Sequence, residues 1–204
     1  MKLYYSPGAC SLVPHILLRE TKLPHTLVKV DTGSHRTDSG TDFYTINPKG
    51  YVPVLELEDG QRLSEGPVIA QYIADHAHRE DLMPAAGSMA RYRVMEWQNY
   101  ITSELHKSFS ALFNPALDTS AKEVFAVILR KKFEWVSGQL PGGPYLTGDN
   151  FTAADAYLFT VTGWAKHVGL DLSDYEHLSA FLKRVASHPA VQEAMKAEGL
   201  LTAK

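Results

Sequence analysis

Cysteine is almost absent from this chain. Cys10 stands alone among 204 residues, so no disulfide forms within it, which suits a reducing compartment. Long apolar runs are missing as well: no hydrophobic stretch approaches the roughly 20 residues of a membrane span, and the opening Met-Lys-Leu-Tyr-Tyr-Ser-Pro-Gly-Ala-Cys holds no apolar core of signal-peptide length. Charge of one sign is not in excess. Twenty Lys and Arg against 23 Asp and Glu leave a formal net charge of −3, which argues against a nucleic-acid partner because such a partner needs a concentrated basic face. Metal-ligand spacing is lacking too. His76 and His78 lie two apart, on different faces of a helix, and the chain holds no His-Glu-x-x-His or paired-Cys pattern. The expectation is a soluble cytoplasmic protein without metal, membrane or nucleic-acid partners, long enough for one large domain or two modest ones.

What is present concentrates in residues 47–75. Asp59-Gly60, between Val54-Leu55-Glu56-Leu57 and Gln61-Arg62-Leu63, has the form of a β-hairpin turn. Gly66-Pro67 then opens a helix, with proline preset for the first helical position and Val68, Ile69, Tyr72 and Ile73 repeating at helical spacing. A strand that runs into a helix N-terminus leaves backbone N–H groups where the aligned peptide dipoles favour an anion. Glu65 lies at the same junction, so the stretch offers donors to a carboxylate and a carboxylate to an ammonium. Val52-Pro53 disturbs pairing at the start of a strand. If that bond is cis, the Val52 backbone turns outward and can pair with an extended peptide as an added strand. The residues by themselves are equally compatible with an ordinary hairpin and surface helix.

Val52-Pro53, a hairpin, Ser64-Glu65-Gly66 and an apolar helix, in that order, resemble the glutathione-binding half of the glutathione transferases, whose first domain is thioredoxin-like. The resemblance implies that glutathione lies along Val52 and Pro53 with its γ-glutamyl end at Glu65 and Gly66. The family's usual residue after the acidic one is serine; here it is Gly66, which keeps the backbone donor and lacks the hydroxyl. A family lysine that reaches the glycyl carboxylate corresponds to His35, in the polar stretch Asp31 to Gly40 that reads as a loop.

Upstream, Lys2-Leu3-Tyr4-Tyr5 is strand-prone, Ser6-Pro7-Gly8 breaks it, and Leu12, Ile16 and Leu17 with Arg19-Glu20 form an amphipathic helix. Cys10 falls at that helix's N-terminus, where dipole and backbone donors favour thiolate over thiol. A buried cysteine acting as a small hydrophobe is the other reading of the same residue. The run Ser-Pro-Gly-Ala-Cys-Ser is similar to the bacterial beta class of these enzymes, in which this cysteine faces the sulfur of glutathione. Val13 at the fourth position rules out a Cys-x-x-Cys pair. His25 to Val30 alternates and is β-branched, giving β-α-β before the hairpin and a mixed sheet of four strands.

After Met83-Pro84-Ala85-Ala86-Gly87-Ser88 the composition shifts to helix formers. Val94, Trp97, Ile101, Leu105 and Leu112 trace one apolar stripe through a helix from near Ser88 to before Asn114-Pro115. On another face Asn99, Ser103 and His106 follow at i, i+4 and i+7 and form a polar row. That row is either a solvated face or, as the beta-class resemblance implies, a set of contacts beside Cys10 and glutathione. Glu104 and Lys107 flank it as surface or subunit-interface charges. Phe125, Ile128, Phe133 and Val136 predict a core-facing helix between Lys122 and Leu140. Thr152 and Asp155 read as the N-cap and N3 residues of a capping box, matching a folding element in the family's buried sixth helix, so Asp155 is structural. Ser173 and Glu176 suggest another box. Tyr157, Trp164 and His167 share the helix after Thr152, and the resemblance implies that Phe109, Phe113, Tyr157 and Trp164 line an electrophile pocket.

The resulting expectation is the glutathione transferase fold: a thioredoxin-like α/β domain, residues 1–80, then an all-helical domain, residues 87–204. The resemblance implies a homodimer that conjugates reduced glutathione, as co-substrate, to small hydrophobic electrophiles in detoxification, with Cys10 and His106 as catalytic residues. Two other readings stay open. One is a glutathione-dependent disulfide or peroxide reductase in which Cys10 cycles through a mixed disulfide; the other is a non-catalytic, ligand-binding member of the fold.

Overall fold

Strand β1 (Lys2–Tyr5) has a neighbour on each edge, and the alternation of its side chains gives the sheet two buried faces. Leu3 pairs with Leu55 of β4 (Val54–Glu56) on one face, while Tyr4 pairs with Val54 on the other. Outside β1 lies β2 (Thr26–Asp31), parallel to it, and outside β4 lies β5 (Arg62–Ser64), antiparallel through the turn in which Gly60 takes φ +84°. The computed structural model describes residues 1–201. In it the sheet has five strands, in the order β3-β2-β1-β4-β5, and this corrects the expected four. The fifth is β3 (Arg36–Thr37), antiparallel to β2. Asp31 closes the hairpin between them by accepting the Gly33 and Ser34 N–H groups, so part of the polar stretch read as a loop is paired.

Helix α1 (Leu12–Thr21) packs against α2 (Gly66–His76). Leu3, Leu55, Ile16, Leu17, Ile69 and Ile73 are fully buried, at about 1.5–3 kcal/mol each. The other face is covered by Phe43, which with Tyr4, Val30, Val52 and Val54 forms a second cluster. The chain divides into two compact units, Met1–Glu80 with the closing segment from His188, and Asp81–Ser187. The last helix, α8 (Pro189–Ala197), expected within the helical domain, packs on α1. Its C-cap Glu198 holds His15 Nδ1 at 2.8 Å in a pair with no exposed side-chain surface. The other oxygen of Glu198 accepts the Gly8 N–H at 2.8 Å, so this buried carboxylate is satisfied at both oxygens.

In the second unit Ser88 caps α3 (Met89–Tyr100) by accepting the Arg91 N–H. The helical path then continues through a π segment, Ile101–His106, into α4 (Lys107–Phe113). Sequence periodicity predicts one regular helix here. The π segment shifts the register by about a residue, and Lys107 N–H reaches back to the Thr102 carbonyl. Asp118 caps α5 (Thr119–Gln139). Phe133 and Val136 are buried as expected, but Phe125 and Ile128 are exposed beside Val124 and Val127. Their helical spacing marks an apolar face that no element of this unit covers. Glu104 is not a free surface charge: it pairs with Lys132 of α5 at 2.9 Å.

Helix α6 (Ala153–Thr162) is buried nearly all round, the pattern of a core helix. It stops before Trp164 and His167, which belong to a separate turn (Ala165–Val168 with Trp164 as its N-cap) because the chain breaks at Gly163. Helix α7 (Glu176–Ala186) starts on Tyr175 without a side-chain cap. The expected Ser173 box does not form, since Ser173 donates its N–H to Asp171 instead. Among the described residues no helix is long and apolar enough to cross a membrane.

Candidate active site

The first unit gathers Cys10, Val52, Pro53, Glu65 and Gly66 around the β1–α1 turn and the β5–α2 junction. Ser11 Oγ bridges the N–H and carbonyl of Ser6, and Ala9 N–H closes on the Ser6 carbonyl. With Glu198 holding Gly8, the turn from Ser6 to Cys10 is fixed from both sides. Cys10 precedes the N-cap Ser11 of α1, and its Sγ donates to the Val52 carbonyl at 3.4 Å. The Val52-Pro53 peptide bond is cis.

Cys10 departs from the expected acidic thiol. Burial pushes it up from 9.0 to about 11; the backbone N–H groups of Cys10 and Ser11 offset this only in part, and the Glu65 carboxylate adds to the rise. Desolvation outweighs the helix terminus here. At neutral pH Cys10 is a thiol that can donate a hydrogen bond.

Glu65 is the N-cap of α2 and takes φ +71°, a strained conformation for a residue with a β-carbon. Its carbonyl accepts the Val68 and Ile69 N–H groups, and Pro67 in the first turn brings no N–H. The Gly66 N–H therefore stands at the positive end of the helix. A β-carbon on Gly66 would meet nothing within 4 Å, so neither space nor backbone demands glycine there. Lys49 was not anticipated from the sequence. Its ammonium lies 2.5 Å from Glu65 Oε1 and 2.8 Å from Ser64 Oγ, and so already engages the carboxylate expected to take a ligand's ammonium. Its place in Asn-Pro-Lys-Gly, just before Val52, was the available signal.

His35 takes φ +52°, packs at a tilt against Tyr44 with ring centroids 4.6 Å apart, and donates Nδ1–H to the Gly50 carbonyl at 3.1 Å. In the neutral ring Nε2 is then an acceptor, the wrong sense for a carboxylate unless the imidazole is protonated. Gly50 is required beside it: its φ is +73°, and a β-carbon would meet Tyr44 at 2.6 Å.

In the second unit Asn99 and Ser103 are exposed, and Ser103 Oγ bonds the Asn99 carbonyl at 3.1 Å. His106 ends the π segment, and the Tyr157 hydroxyl is 2.8 Å from its Nδ1. Trp164 stands edge-on to the His106 ring at 4.7 Å, and Phe109 packs on Trp164 at 5.7 Å and on Phe113 at 6.1 Å. The residues expected to line an electrophile pocket thus form one aromatic cluster. Within it Phe113 is 49% exposed, while Phe109 and Tyr157 are buried. Among the described residues no group of three or more His, Cys, Asp and Glu is placed to hold a metal ion.

Comparison with known proteins fits this arrangement. Residues 8–76 match the model of the glutathione S-transferase N-terminal domain and residues 101–189 that of the C-terminal domain. The chain is 47% identical to the glutathione S-transferase GstA of Escherichia coli O157:H7, over 98% of this chain and all of the relative. A sphingomonad glutathione S-transferase complexed with glutathione is 44% identical, with a TM-score of 0.94 over 98% of this chain and 100% of that one. The bacterial beta-class glutathione S-transferase of Sphingomonas chungbukensis is 42% identical, with a TM-score of 0.95 over the same shares. With both domain models matched and full-length relatives at these identities, the chain belongs to the glutathione S-transferase family.

Proposed function

We propose that the protein conjugates reduced glutathione to small hydrophobic electrophiles, with the sulfur of glutathione as the nucleophile. The observation that carries this reading is the geometry at Cys10, whose Sγ donates to the Val52 carbonyl at 3.4 Å, with burial raising the thiol. Such a group is a poor nucleophile at neutral pH and a usable donor to a neighbouring thiolate. The γ-glutamyl ammonium pairs with Glu65, displacing Lys49, and its carboxylate takes the Gly66 N–H. The cysteinyl backbone runs along Val52 beside Pro53, and the glycyl carboxylate meets His35 when that ring is protonated. Asn99, Ser103 and His106 take the contacts that the beta-class resemblance assigns them. Glutathione loses its thiol proton to solvent, the thiolate forms a bond to the electrophilic carbon, and the leaving group departs with the electron pair.

Phe109, Phe113 and Trp164 supply the apolar surface for the electrophile. Tyr157 supports that surface from behind, being buried. The exposed Val124, Phe125, Val127 and Ile128 on α5 suit a second copy of the chain, so we take the working form as a homodimer, acting in the cytoplasm. The test is turnover of the pure protein with reduced glutathione and parallel panels of electrophiles and disulfides. Conjugates seen by mass spectrometry are expected; disulfide reduction far faster than any conjugation would favour the reductase instead.

A further inference from the structure

We propose that Lys49 selects for the α-carboxylate of the γ-glutamyl end: it yields Glu65 to the ligand's ammonium and turns to the carboxylate carried on the same carbon. The inference rests on the reading above for the placement of glutathione at Glu65 and Gly66, and adds a specificity-determining residue to it.

Lys49 is rooted in a fixed turn. The buried Asn47 accepts the Lys49 N–H at Oδ1, 3.2 Å away, donates from Nδ2 to the Tyr51 carbonyl at 2.7 Å, and takes the Gly50 N–H on its own carbonyl at 2.8 Å. Movement is left to the flexible four-carbon stem and its ammonium. The Glu65 backbone is held in its turn as the N-cap of α2, with its carbonyl on the Val68 and Ile69 N–H groups. The two side chains meet in water: that of Lys49 is 49% exposed and that of Glu65 65%. An ion pair so exposed is worth little, and a ligand's ammonium replaces that of Lys49 with the same kind of contact. Ser64 Oγ accepts from the Lys49 ammonium as well, at 2.8 Å. That hydroxyl keeps Lys49 beside the junction when Glu65 turns to the ligand.

Both charges of a γ-glutamyl end sit on one carbon atom. An ammonium on Glu65 therefore brings the carboxylate next to the position that Lys49 gives up, close to the Gly66 N–H at the positive end of α2. One backbone N–H satisfies only part of a carboxylate, which has about four acceptor sites, and the lysine supplies a charged donor to another. One exposed contact is exchanged for a similar one, so the effect falls on discrimination more than on affinity. A ligand with the ammonium and no carboxylate must drive Lys49 from Glu65 and gives it no second anion. A ligand with the carboxylate and no ammonium leaves Lys49 bridging that group and Glu65. Among thiol tripeptides, Glu65 thus selects for the ammonium and Lys49 for the carboxylate.

The experiment is calorimetry of the wild type, Lys49→Met and Lys49→Arg with reduced glutathione, with γ-aminobutyryl-Cys-Gly, which lacks the α-carboxylate, and with glutaryl-Cys-Gly, which lacks the ammonium. Lys49→Met keeps an unbranched stem and removes the charge. It should tighten the γ-aminobutyryl peptide by about three- to tenfold, because the competing ammonium is gone, and weaken the glutaryl peptide by about the same factor. Glutathione itself should change by less than about threefold, since the two effects oppose each other. Lys49→Arg retains a cation and should keep the wild-type ranking of the ligands. A γ-aminobutyryl peptide that binds Lys49→Met no tighter than the wild type overturns the proposal, as does a glutaryl peptide that binds both equally. Wild type that fails to bind glutathione, or glutathione that binds Glu65→Ala as well as wild type, removes the γ-glutamyl end from this junction and the proposal with it. Glutathione bound through Glu65, with neither analogue responding to Lys49→Met, overturns the proposal alone.

Discussion

Replacing Asp155 with alanine removes one carboxylate and leaves three donors without their acceptor. Leu146 N–H reaches Oδ1 at 2.8 Å, and Thr152 gives Oδ2 both its N–H, at 2.8 Å, and its hydroxyl, at 2.7 Å. The hydroxyl can turn elsewhere. The two backbone groups cannot, and a buried N–H left unsatisfied costs about 1–3 kcal/mol, so the substitution should cost roughly 2–4 kcal/mol at neutral pH. The pH dependence is the sharper part of the prediction. Burial pushes the Asp155 carboxyl up from 3.8 to about 6, against the lowering effect of its donors. Between those values the folded protein holds a proton that the unfolded chain releases, so the proton-linked part of this residue's contribution, added to that of its hydrogen bonds, is full below 3.8 and is lost as pH rises toward about 6. That difference in pKa corresponds to ~3 kcal/mol. Alanine has no such proton. Denaturant unfolding of both proteins at pH ~4 and ~7 should therefore show a larger penalty for Asp155→Ala at the acid end. A penalty that grows toward neutral pH would place the folded-state value below 3.8 and show that donors outweigh burial. Turnover per folded molecule should change little, and its loss in well-folded variant would make Asp155 a catalytic group.

The remaining predictions concern the glutathione site. With a thiol at about 11, only roughly one part in ten thousand of Cys10 is thiolate at pH 7, so alkylation by iodoacetamide should run about a hundredfold slower than for an ordinary cysteine and accelerate steadily toward alkaline pH; half-maximal reactivity near neutrality would refute the burial argument. Glu65→Ala should weaken glutathione binding by roughly 1–2 kcal/mol by calorimetry, the lower part of the range for a charged hydrogen bond because the carboxylate is exposed and already engages Lys49; unchanged affinity removes Glu65 from the site. Gly66→Ser adds a hydroxyl where a β-carbon meets nothing within 4 Å, and should tighten binding by about three- to tenfold; weaker binding would show that Gly66 serves the ligand's shape.

The features legible in the sequence are those whose partners are close along the chain. The Asp59-Gly60 hairpin and the Glu65-Gly66-Pro67 helix start are local, and so is the Thr152 and Asp155 cap, whose ends are three residues apart. Strand β3, only two residues long, is too short for alternation to register. The π segment has no pattern of its own; its contacts run from Thr102 and His106 to Tyr157, some fifty positions later. Periodicity marked Phe125 and Ile128 as an apolar face but is blind to what covers one. Lys49 was missed because its bond to Glu65 spans 16 positions. The thiol of Cys10 was misjudged for a related reason: the helix terminus is visible in the sequence, whereas the burial that outweighs it comes from the folded surroundings.

The central claim is that the reacting sulfur belongs to glutathione, with Cys10 beside it as a donor. It is tested most directly by comparing conjugation by the wild type and Cys10→Ala, using reduced glutathione and an electrophile whose adduct is quantified by mass spectrometry. The account predicts that Cys10→Ala keeps a substantial part of the conjugation rate, because Glu65, the Gly66 N–H and His106 remain. Complete loss of turnover in Cys10→Ala, together with disulfide reduction by the wild type far above its conjugation, would contradict it.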